Sequence, residues 1–440
     1  MKCDILITDI LLLPEPGTGV PEADSFIAIA AGRIQATGPM RELAKAGARA
    51  RTTINGCGML AMPGLVNGHC HAAMTLFRGL ADDLDLATWL NEHIFPAEAR
   101  HVTPEMVYRC SLLAAAEMLL SGTTCVADGY FFETEAARAF ADAGMRAIAA
   151  QGIVDFPAPG VPDPADNLEA ATAFLDAWSG RDPRILPALF AHAPYTCSAT
   201  TLRRAKALAG ERGVPLFIHV AETANEAAMI AEPLADSPIR HLDALGILDE
   251  ATVLVHCVWT DDQDLDILAR RGARVVSCPR SNLKLASGIA DLTAMRRRAI
   301  PVALGTDGAA SNNGLDLFGE MDTCAKIQKV RAMDPVAMPA REVLAMATHG
   351  HGLPGLPGGL GRLAPGCPAD LVLVDIEEPH LQPFHGPDLL VYAARGGDVR
   401  TVIVDGRIVV RDRRLLTMDL ETVMAGVRAM RVRDDTTTGN

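Results

Sequence analysis

Two histidines separated by a single residue, His69 and His71, end the apolar segment LAMPGLVNGHCH. On an extended strand alternate residues share one face, so both imidazoles can reach one metal ion while Cys70 points the other way. Imidazole nitrogens combined with a carboxylate suit zinc, and an open position for water suits catalysis. The pair alone is a weak signal, because a second one, His349 and His351, lies in ATHGHGLPG outside any strand-like segment. We expect no metal at that second pair.

Two further residues with metal-binding chemistry end other short apolar segments. His219 lies in VPLFIHVAE, and Asp307 lies in IPVALGTDG, close to Gly305 and Gly308. Glycines around a carboxylate let a ligand approach the backbone closely, although a buried structural aspartate is the alternative. Three imidazoles and one carboxylate at strand ends predict a metal site formed by His69, His71, His219 and Asp307.

Two more residues are placed to assist a reaction at such a site. Glu222 follows His219 by three residues, where a carboxylate can shuttle a proton between bound water and substrate. Its alternative role is a favourable charge at the N-terminus of a helix in AETANEAA. His256, in ATVLVHCVW, can hydrogen-bond the attacking water or the substrate, whereas a purely structural histidine would need a partner that the sequence does not identify.

The segments that carry these residues alternate with helical patterns. TLRRAKALAGERG and DDQDLDILARRG have apolar residues at helical spacing and stop at glycine. Eight strands alternating with helices predict an α/β fold with a parallel, TIM-like (β/α)₈ barrel, whose active site lies at the carboxyl ends of the strands. The eight strand-like segments are residues 60–71, 123–129, 146–155, 184–193, 214–222, 251–259, 273–279 and 300–308.

Both ends of the chain resemble β-hairpins. FIAIAAGRIQATG and TVIVDGRIVVRDRR each have β-branched strands around a tight turn, Ala31-Gly32 in one and Asp405-Gly406 in the other, and ADLVLVD adds another strand. We expect the termini to pair into one small β-sandwich domain. The predicted organisation is therefore a composite β-domain of residues 1–60 and 362–440 around a metal-dependent barrel of residues 61–361.

Composition excludes several classes of partner. The chain has 440 residues, 49% of them hydrophobic, and a formal net charge of -14, which argues against binding nucleic acid or anionic membranes. The ten cysteines are scattered singly, as reduced core thiols are, and no apolar stretch reaches the roughly 18 residues of a membrane span. These features predict a cytoplasmic protein.

Five longer motifs carry a resemblance to a known family. PGLVNGHCHAAMTLFRGLADDL, HAPYTCS, HVAET, CPRSNLKLASGIA and GTDGAASNNGLDLFGEM occur in this order, followed by LAPGCPADLVLVD. The chain resembles the amidohydrolase superfamily, and within it the methylthioadenosine/S-adenosylhomocysteine deaminases and their chlorohydrolase relatives. The resemblance covers nearly the whole chain. It implies a homo-oligomeric hydrolase that removes the amino group of an adenosine-type nucleoside and releases ammonia.

The resemblance also implies roles for individual residues. The four metal ligands are those predicted above, Glu222 protonates a ring nitrogen, and His256 and Asp307 handle the hydrolytic water. The lysine that is carboxylated to bridge two metals in binuclear members is not found in RILPALFAHA, which implies a mononuclear site. One zinc ion is the expected cofactor, with iron and manganese left open because imidazole and carboxylate accept all three.

Besides Glu222 and Asp307, three further residues are implied in substrate binding. Glu98 matches the carboxylate that binds the ribose hydroxyls, His192 a histidine near the adenosine, and Trp89 an aromatic residue beside the base; a surface acid and core packing are the alternatives for Glu98 and Trp89. Relatives that act on S-adenosylhomocysteine bind its carboxylate with two arginines. Here Gln151 stands at the first arginine position and residues 156–167 contain no arginine. We therefore expect methylthioadenosine or adenosine to be preferred.

Two other functions remain open at this point. A chlorohydrolase, or a deaminase of another N-heterocycle such as a triazine, guanine or a pterin, would share the same metal ligands, and only a nucleoside gives Glu98 a ribose to bind. A non-catalytic assembly protein on a hydrolase scaffold would be expected to lose metal ligands, whereas this chain keeps all four.

Overall fold

A computed structural model of the chain describes residues 1–350 and 353–430. His351 lies outside the described residues, so the expectation for the second histidine pair stays a prediction. The strands in chain order are β1 (Lys2–Leu12), β2 (Glu22–Ala30), β3 (Arg33–Pro39), β4 (Arg49–Asn55), β5 (Met59–Pro63), β6 (Leu65–Cys70), β7 (Thr123–Tyr130), β8 (Arg146–Ile153), β9 (Ile185–Ala191), β10 (Leu216–Val220), β11 (Thr252–His256), β12 (Arg274–Ser277), β13 (Val302–Leu304), β14 (Leu371–Asp375), β15 (Val399–Val404), β16 (Arg407–Arg411) and β17 (Arg414–Leu415).

Helices connect most of the strands. In chain order they are α1 (Met40–Ala46), α2 (Leu86–Thr88), α3 (Phe95–His101), α4 (Pro104–Leu120), α5 (Glu133–Ala143), α6 (Asn167–Trp178), α7 (Ala199–Arg212), α8 (Glu226–Met229), α9 (Pro238–Leu245), α10 (Asp262–Arg271), α11 (Pro279–Lys284), α12 (Leu292–Arg297), α13 (Ala309–Asn312), α14 (Leu317–Ala332), α15 (Ala340–Thr348), α16 (Leu389–Tyr392) and α17 (Leu420–Ala429). Short 3₁₀ turns lie at Ala72–Phe77, Pro164–Asp166, Pro379–Leu381 and Gly396–Asp398, and a π-helical turn lies at Trp89–Ile94.

The eight strands β6 to β13 are parallel and lie side by side in the order in which they occur in the sequence. Each of the eight predicted segments matches one of them, with β7 extending one residue beyond its segment, so the predicted TIM-like (β/α)₈ barrel is confirmed. The seam between β13 and β6 is bridged next to the metal-binding candidates: the amide of Asp307 donates to the carbonyl of His69 at 3.0 Å, and the Asn67 amide donates to Thr306 Oγ1 at 2.8 Å.

The barrel interior is a packed core. Alternate residues of the strands point inward, among them Val66, Ile148 and Phe217, and two leucines from the segment after α15, Leu353 and Leu360, join the same cluster. This apolar filling occupies the inside of the barrel. Polar chemistry is therefore confined to the end where the candidate residues lie.

The two ends of the chain form one small β-domain, as predicted. Its strands are hydrogen-bonded into a mixed sheet in the order β17-β16-β15-β14-β5-β1-β2-β3, with β4 paired to β1. Both predicted hairpin turns are present, and Ala31, Gly32, Asp405 and Gly406 all have positive φ angles, as such turns require. The aliphatic side chains of β1, β2 and β14 build a separate core under this sheet.

The first predicted strand segment, LAMPGLVNGHCH, contains two strands. β5 pairs with β14 in the terminal sheet, whereas β6 belongs to the barrel. The change of sheet occurs at Gly64, where an added Cβ would lie 2.2 Å from the Thr124 side chain. The division at residues 60/61 and 361/362 stays a prediction, and β5 extends across the first of these limits.

Two compositional predictions can be compared with this structure. Among the described residues, the helices are too short or too polar for any of them to cross a bilayer. All ten cysteines are unpaired, and all except Cys57 and Cys367 are buried, in agreement with reduced core thiols.

Candidate metal centre and active site

Four side chains converge at the carboxyl end of the barrel. His69 and His71 come from the end of β6, His219 from β10, and Asp307 from the loop after β13; one ligand atom of each lies within 4.8 Å of all the others. His69 Nε2 is 3.2 Å from His219 Nε2 and 3.4 Å from Asp307 Oδ1. Cys70 packs in the outer core, as the alternation of a strand predicts. The sequence-predicted ligand set is thus one cluster in space.

The protonation states of these side chains suit a divalent metal. His71 Nδ1 is 2.6 Å from the carbonyl oxygen of Gly129 and must donate to it, which leaves the Nε2 lone pair directed at the cluster. Burial lowers the pKa of His69 to about 4, against the opposing effect of its hydrogen bond to Asp307. Burial also lowers the pKa of His219 well below its usual value. Neutral imidazoles beside a carboxylate are the donors that zinc and similar ions bind.

Besides His69, three donors hold the Asp307 carboxylate. Its Oδ2 accepts from the hydroxyls of Ser281 at 2.7 Å and Ser311 at 2.8 Å, and its Oδ1 accepts from the amide of Gly308 at 2.8 Å. Although burial alone would raise the pKa of Asp307, the hydrogen bond from His69 and the nearby histidines hold it well below its usual value. The carboxylate is therefore ionised and fixed in orientation.

Glu222 lies in the loop after β10 and lines the same cavity. The helix that follows starts four residues later, so the alternative role of Glu222 as a helix N-terminal charge is not supported. Glu226 fills that position instead, and its carboxylate accepts the backbone amides of Ala221 and Glu222 at 2.8 Å each. Burial, with a contribution from Asp307, raises the pKa of Glu222 to about 8. The burial of Glu222 therefore favours its protonated form.

His256 has partners on both sides of its ring. Its Nδ1 accepts from the side-chain amide of Asn282 at 3.0 Å, so the ring proton resides on Nε2. That Nε2 is 3.6 Å from Glu222 Oε2. Burial lowers the pKa of His256, so the ring is neutral and presents one N–H to the cavity.

A cavity opens above the metal-binding cluster. It is lined by all five predicted substrate-binding residues, Glu98, His192, Trp89, Glu222 and Asp307, together with His256. The rest of its wall is mostly apolar and aromatic, and includes Leu86, Leu90, Ile94, Phe95, Tyr130, Phe131, Phe156, Phe190, Tyr195 and Leu285. A flat heterocycle fits such a wall.

Three of the predicted substrate-binding side chains differ in their hydrogen bonding. Glu98 Oε1 accepts from the hydroxyl of Tyr130 at 2.6 Å. His192 Nδ1 is 2.9 Å from Thr196 Oγ1, and burial lowers the pKa of His192 to about 3, so its ring is neutral. Trp89 Nε1 is buried without a hydrogen-bond partner among the described residues. Each of the three thus retains a polar side-chain atom with no hydrogen-bond partner among the described residues.

The position of Gln151 differs from the sequence interpretation. The side chain of Gln151 accepts from the amide of Glu133 at 3.2 Å, at the start of α5, and is not part of the cavity wall. Inward positions on β8 are Ile148, Ala150 and Gly152, because a strand alternates its faces. Gln151 is therefore not among the residues that line this cavity, and the charge of the cavity wall has to be judged from its own lining residues.

Sequence reasoning missed several residues that support the site. Tyr130 holds Glu98, Ser281 and Ser311 hold Asp307, and Asn282 holds His256. Ser281 and Asn282 lie within the motif CPRSNLKLASGIA, which carried the resemblance without a role being assigned to these residues. Tyr130 gave no signal of its own, because its partner is 32 residues away in the chain.

Known proteins resemble the chain over most of its length. The model of the amidohydrolase family matches residues 60–409. A 5-methylthioadenosine/S-adenosylhomocysteine deaminase of Syntrophobacter fumaroxidans is 46% identical over 97% of this chain and 97% of its own length. A 5′-deoxyadenosine deaminase of Methanothermobacter thermautotrophicus is 44% identical over 85% of this chain and 87% of its own.

A solved structure shows a matching architecture. It is an adenosine deaminase from Xanthomonas campestris, described with bound zinc, and it superimposes with a TM-score of 0.93 over 98% of each chain at 36% identity. The agreement extends over the barrel and the terminal sheet together, since almost no part of either chain is left out.

Proposed function

Since the chain belongs to the amidohydrolase family, we propose that it is a metal-dependent hydrolytic deaminase of adenosine-type nucleosides, with 5′-methylthioadenosine as the preferred substrate. The observation that carries the proposal is the common cavity: Glu222, the hydrogen-bonded Asp307 and the buried Glu98 line one space above the three-histidine cluster. A nucleoside needs all three groups. The heterocycle reacts at one end of the cavity, and the ribose gives Glu98 a ligand at the other.

The metal would be held by His69, His71, His219 and Asp307. A divalent ion bound by these donors supplies a Lewis acid that lowers the pKa of water to roughly 7. We propose zinc as the ion, in keeping with the three-imidazole, one-carboxylate donor set and with the zinc described for the similar adenosine deaminase.

The proton transfers follow from the protonation states of the other residues. Glu222, in its protonated form, donates to the ring nitrogen N1 of adenine, which makes C6 electrophilic. The Nε2–H of His256 orients the oxygen of the attacking water, and the ionised Asp307 accepts a proton from that water. Transfer of that proton to the amino group releases ammonia. The proton that remains on the C6 hydroxyl returns to Glu222, which leaves the carbonyl of an inosine-type product. The C–N bond broken is that of a cyclic amidine.

The wall of the cavity supports an uncharged 5′ substituent. An outer chamber adjoins the cavity and shares Phe95, Glu98, Phe156 and Tyr195 with it. Neither space has lysine or arginine among its described lining residues, whereas Glu98 and Glu226 are both present. A substrate carboxylate would find no cationic partner there, so we expect 5′-methylthioadenosine, 5′-deoxyadenosine or adenosine to react faster than S-adenosylhomocysteine.

Two further expectations from the sequence remain proposals about the whole protein. We propose that the chain forms a homo-oligomer and acts in the cytoplasm, with a small-molecule nucleoside as its substrate. Size-exclusion chromatography with light scattering tests the first of these.

Ammonia release from a substrate panel tests the function. Zinc-restored enzyme is assayed with 5′-methylthioadenosine, adenosine, S-adenosylhomocysteine, guanine and a chlorotriazine. We expect the highest kcat/KM for 5′-methylthioadenosine, and Glu222→Gln should lower kcat by about 10³-fold or more while binding the same amount of zinc. Glu211→Gln, on the exposed end of α7, is the matched control and should leave kcat unchanged. Turnover of guanine or the chlorotriazine without turnover of any adenosine compound would overturn the proposal.

A further inference from the structure

Tyr130 is a buried polar residue with no role in the reaction described above. It ends strand β7, only 6% of its surface is exposed, and its ring lies against Phe131 with centroids 5.2 Å apart. Its hydroxyl donates to Glu98 Oε1 at 2.6 Å, and Glu98 itself is 5% exposed. Both side chains line the cavity above the metal-binding cluster.

The bond connects two parts of the structure that sequence order keeps apart. Glu98 lies on α3, in the long connection between β6 and α4, and that connection is not part of the barrel wall. Tyr130 lies on a barrel strand that pairs with β6 and β8. Among the described residues, Tyr130 is the only one whose side chain hydrogen-bonds to the Glu98 carboxylate. The orientation of Glu98 relative to the barrel therefore depends on this contact.

The chemistry of Tyr130 and Glu98 determines which group donates the hydrogen bond and which accepts it. A neutral phenol can donate one proton, and a carboxylate can only accept, so the bond forms best when Glu98 is ionised. It engages Oε1 and leaves Oε2 as the oxygen available to a ligand. A carboxylate oxygen beside an apolar wall is suited to accept the two adjacent hydroxyls of a ribose.

We propose that Tyr130 is a positioning residue for the sugar of the substrate: it holds the Glu98 carboxylate so that its free oxygen accepts the ribose hydroxyls. This inference rests on the proposed nucleoside deaminase function. A competing role is simple bracing of α3 against the barrel. Bracing would affect the stability of the protein or the binding of every substrate, whereas positioning affects only substrates that carry the hydroxyls.

Removal of one hydroxyl separates these roles. Tyr130→Phe is compared with wild type on adenosine and on 2′,3′-dideoxyadenosine, which lacks both ring hydroxyls. We expect the KM for adenosine to rise about 10-fold, the effect of losing one charge-assisted hydrogen bond, with kcat within about threefold of wild type. The KM for dideoxyadenosine should be unchanged. In a Glu98→Gln background, Tyr130→Phe should add little further loss, because the two residues act as a unit.

Tyr108→Phe is the matched control. The Tyr108 hydroxyl also donates to a carboxylate, Asp142 Oδ2, at 2.9 Å, but this pair joins α4 to α5 on the outside of the barrel. We expect this variant to have wild-type KM values for both substrates. An equal rise of KM for adenosine and dideoxyadenosine in Tyr130→Phe, or a fall in kcat alone, would overturn the positioning role while wild-type turnover still supports a deaminase. Absence of wild-type activity on every adenosine compound would overturn both proposals.

Discussion

At the scale of single residues, the active-site end of the barrel is built on backbone conformations that side chains rarely adopt. Ala221, His256, Cys257 and Asp307 all have positive φ angles, from 47° to 78°. Such conformations cost about 1 to 3 kcal/mol each and persist where the surroundings hold them. Here the amides of Val258 and Trp259 both donate to the carbonyl of Ala221, at 2.9 and 2.8 Å. The strained backbone at the ends of these strands thus places the side chains of His256 and Asp307 in the wall of the same cavity.

The ionisation of Glu98 predicts a pH-dependent KM. Burial raises the pKa of Glu98 to about 7, against the opposing hydrogen bond from Tyr130. Below that pH the carboxyl is neutral and accepts hydroxyls poorly, so the KM for adenosine should rise by up to about 10-fold per pH unit as the pH falls from 7 to 5. Initial-rate kinetics across this range check it. In Glu98→Gln the KM should be higher than in wild type and should no longer rise as the pH falls from 7 to 5. If the variant keeps the wild-type pH dependence of KM, Glu98 is not the group that titrates.

The raised pKa of Glu98 also affects folding stability. Stability should fall as the pH rises, whereas adenosine binding should improve. A buried carboxyl whose pKa is raised above the usual 4.5 favours the folded protein below pH 4.5, and this contribution is lost as the pH rises through about 7. Glu98→Gln should therefore melt at a higher temperature than wild type at pH 8. At pH 5 the two should approach each other. Thermal unfolding in the absence of substrate, followed by circular dichroism, measures the difference.

At the scale of elements, the change from terminal sheet to barrel depends on Gly64. This residue lies between β5 and β6, and an added Cβ would lie 2.2 Å from the Thr124 side chain and 2.7 Å from its Cβ. Thr124 is buried and branched, so it cannot rotate away without moving β7. We expect Gly64→Ala to destabilise the protein by about 1 to 3 kcal/mol, the range for overpacking a core.

Gly210→Ala is the matched control for that variant. Gly210 lies inside α7, is exposed, and has nothing within 4 Å of an added Cβ. Alanine should stabilise the helix there by about 0.5 to 1 kcal/mol, because glycine loses more backbone entropy. Denaturant unfolding measures the free energy of unfolding of both variants, which should fall in Gly64→Ala and rise in Gly210→Ala. If Gly64→Ala is as stable as wild type, β7 can adjust and the packing argument is wrong.

The elements that could be predicted from sequence are those with a local pattern. The eight barrel strands are short apolar segments, and the metal ligands lie at the ends of three of these segments. The strands and the ligands could therefore both be predicted from periodicity and spacing. The connection between β6 and α4 could not be predicted, because its 3₁₀ turn, its π-helical turn and α3 have no shared period. In the π-helical turn the amide of Phe95 donates to the carbonyl of Leu90, five residues back. Likewise the outward direction of Gln151 depends on the register of β8 and on its contact with Glu133.

At the scale of the whole molecule, one buried ion pair joins the barrel to the terminal sheet. Arg146 starts β8, and Asp370 directly precedes β14; their side chains are 4% and 1% exposed. The guanidinium binds both carboxylate oxygens, Nε to Oδ1 at 3.1 Å and Nη2 to Oδ2 at 3.0 Å, and Nη2 also reaches Asp405 at 3.3 Å. The carbonyl of Asp370 accepts the amide of Gly64, so the pair lies where the chain changes sheets.

Breaking this pair from one side should be costly, since it leaves a buried charge without a partner. We expect Arg146→Met to destabilise the protein by about 3 to 5 kcal/mol, and the double variant Arg146→Met/Asp370→Leu to recover most of that loss, because an apolar pair of similar volume avoids the uncompensated charge. Arg212→Met removes an ion pair with Asp176 that is 32% and 59% exposed, and should cost about 1 kcal/mol or less. Thermal unfolding is measured for wild type and the three variants. Their zinc content, measured in parallel, shows whether a loss of stability comes from the domain contact or from weaker metal binding. Equal losses in Arg146→Met and Arg212→Met would mean that solvent reaches the domain interface and that the two domains are joined by their apolar contacts alone.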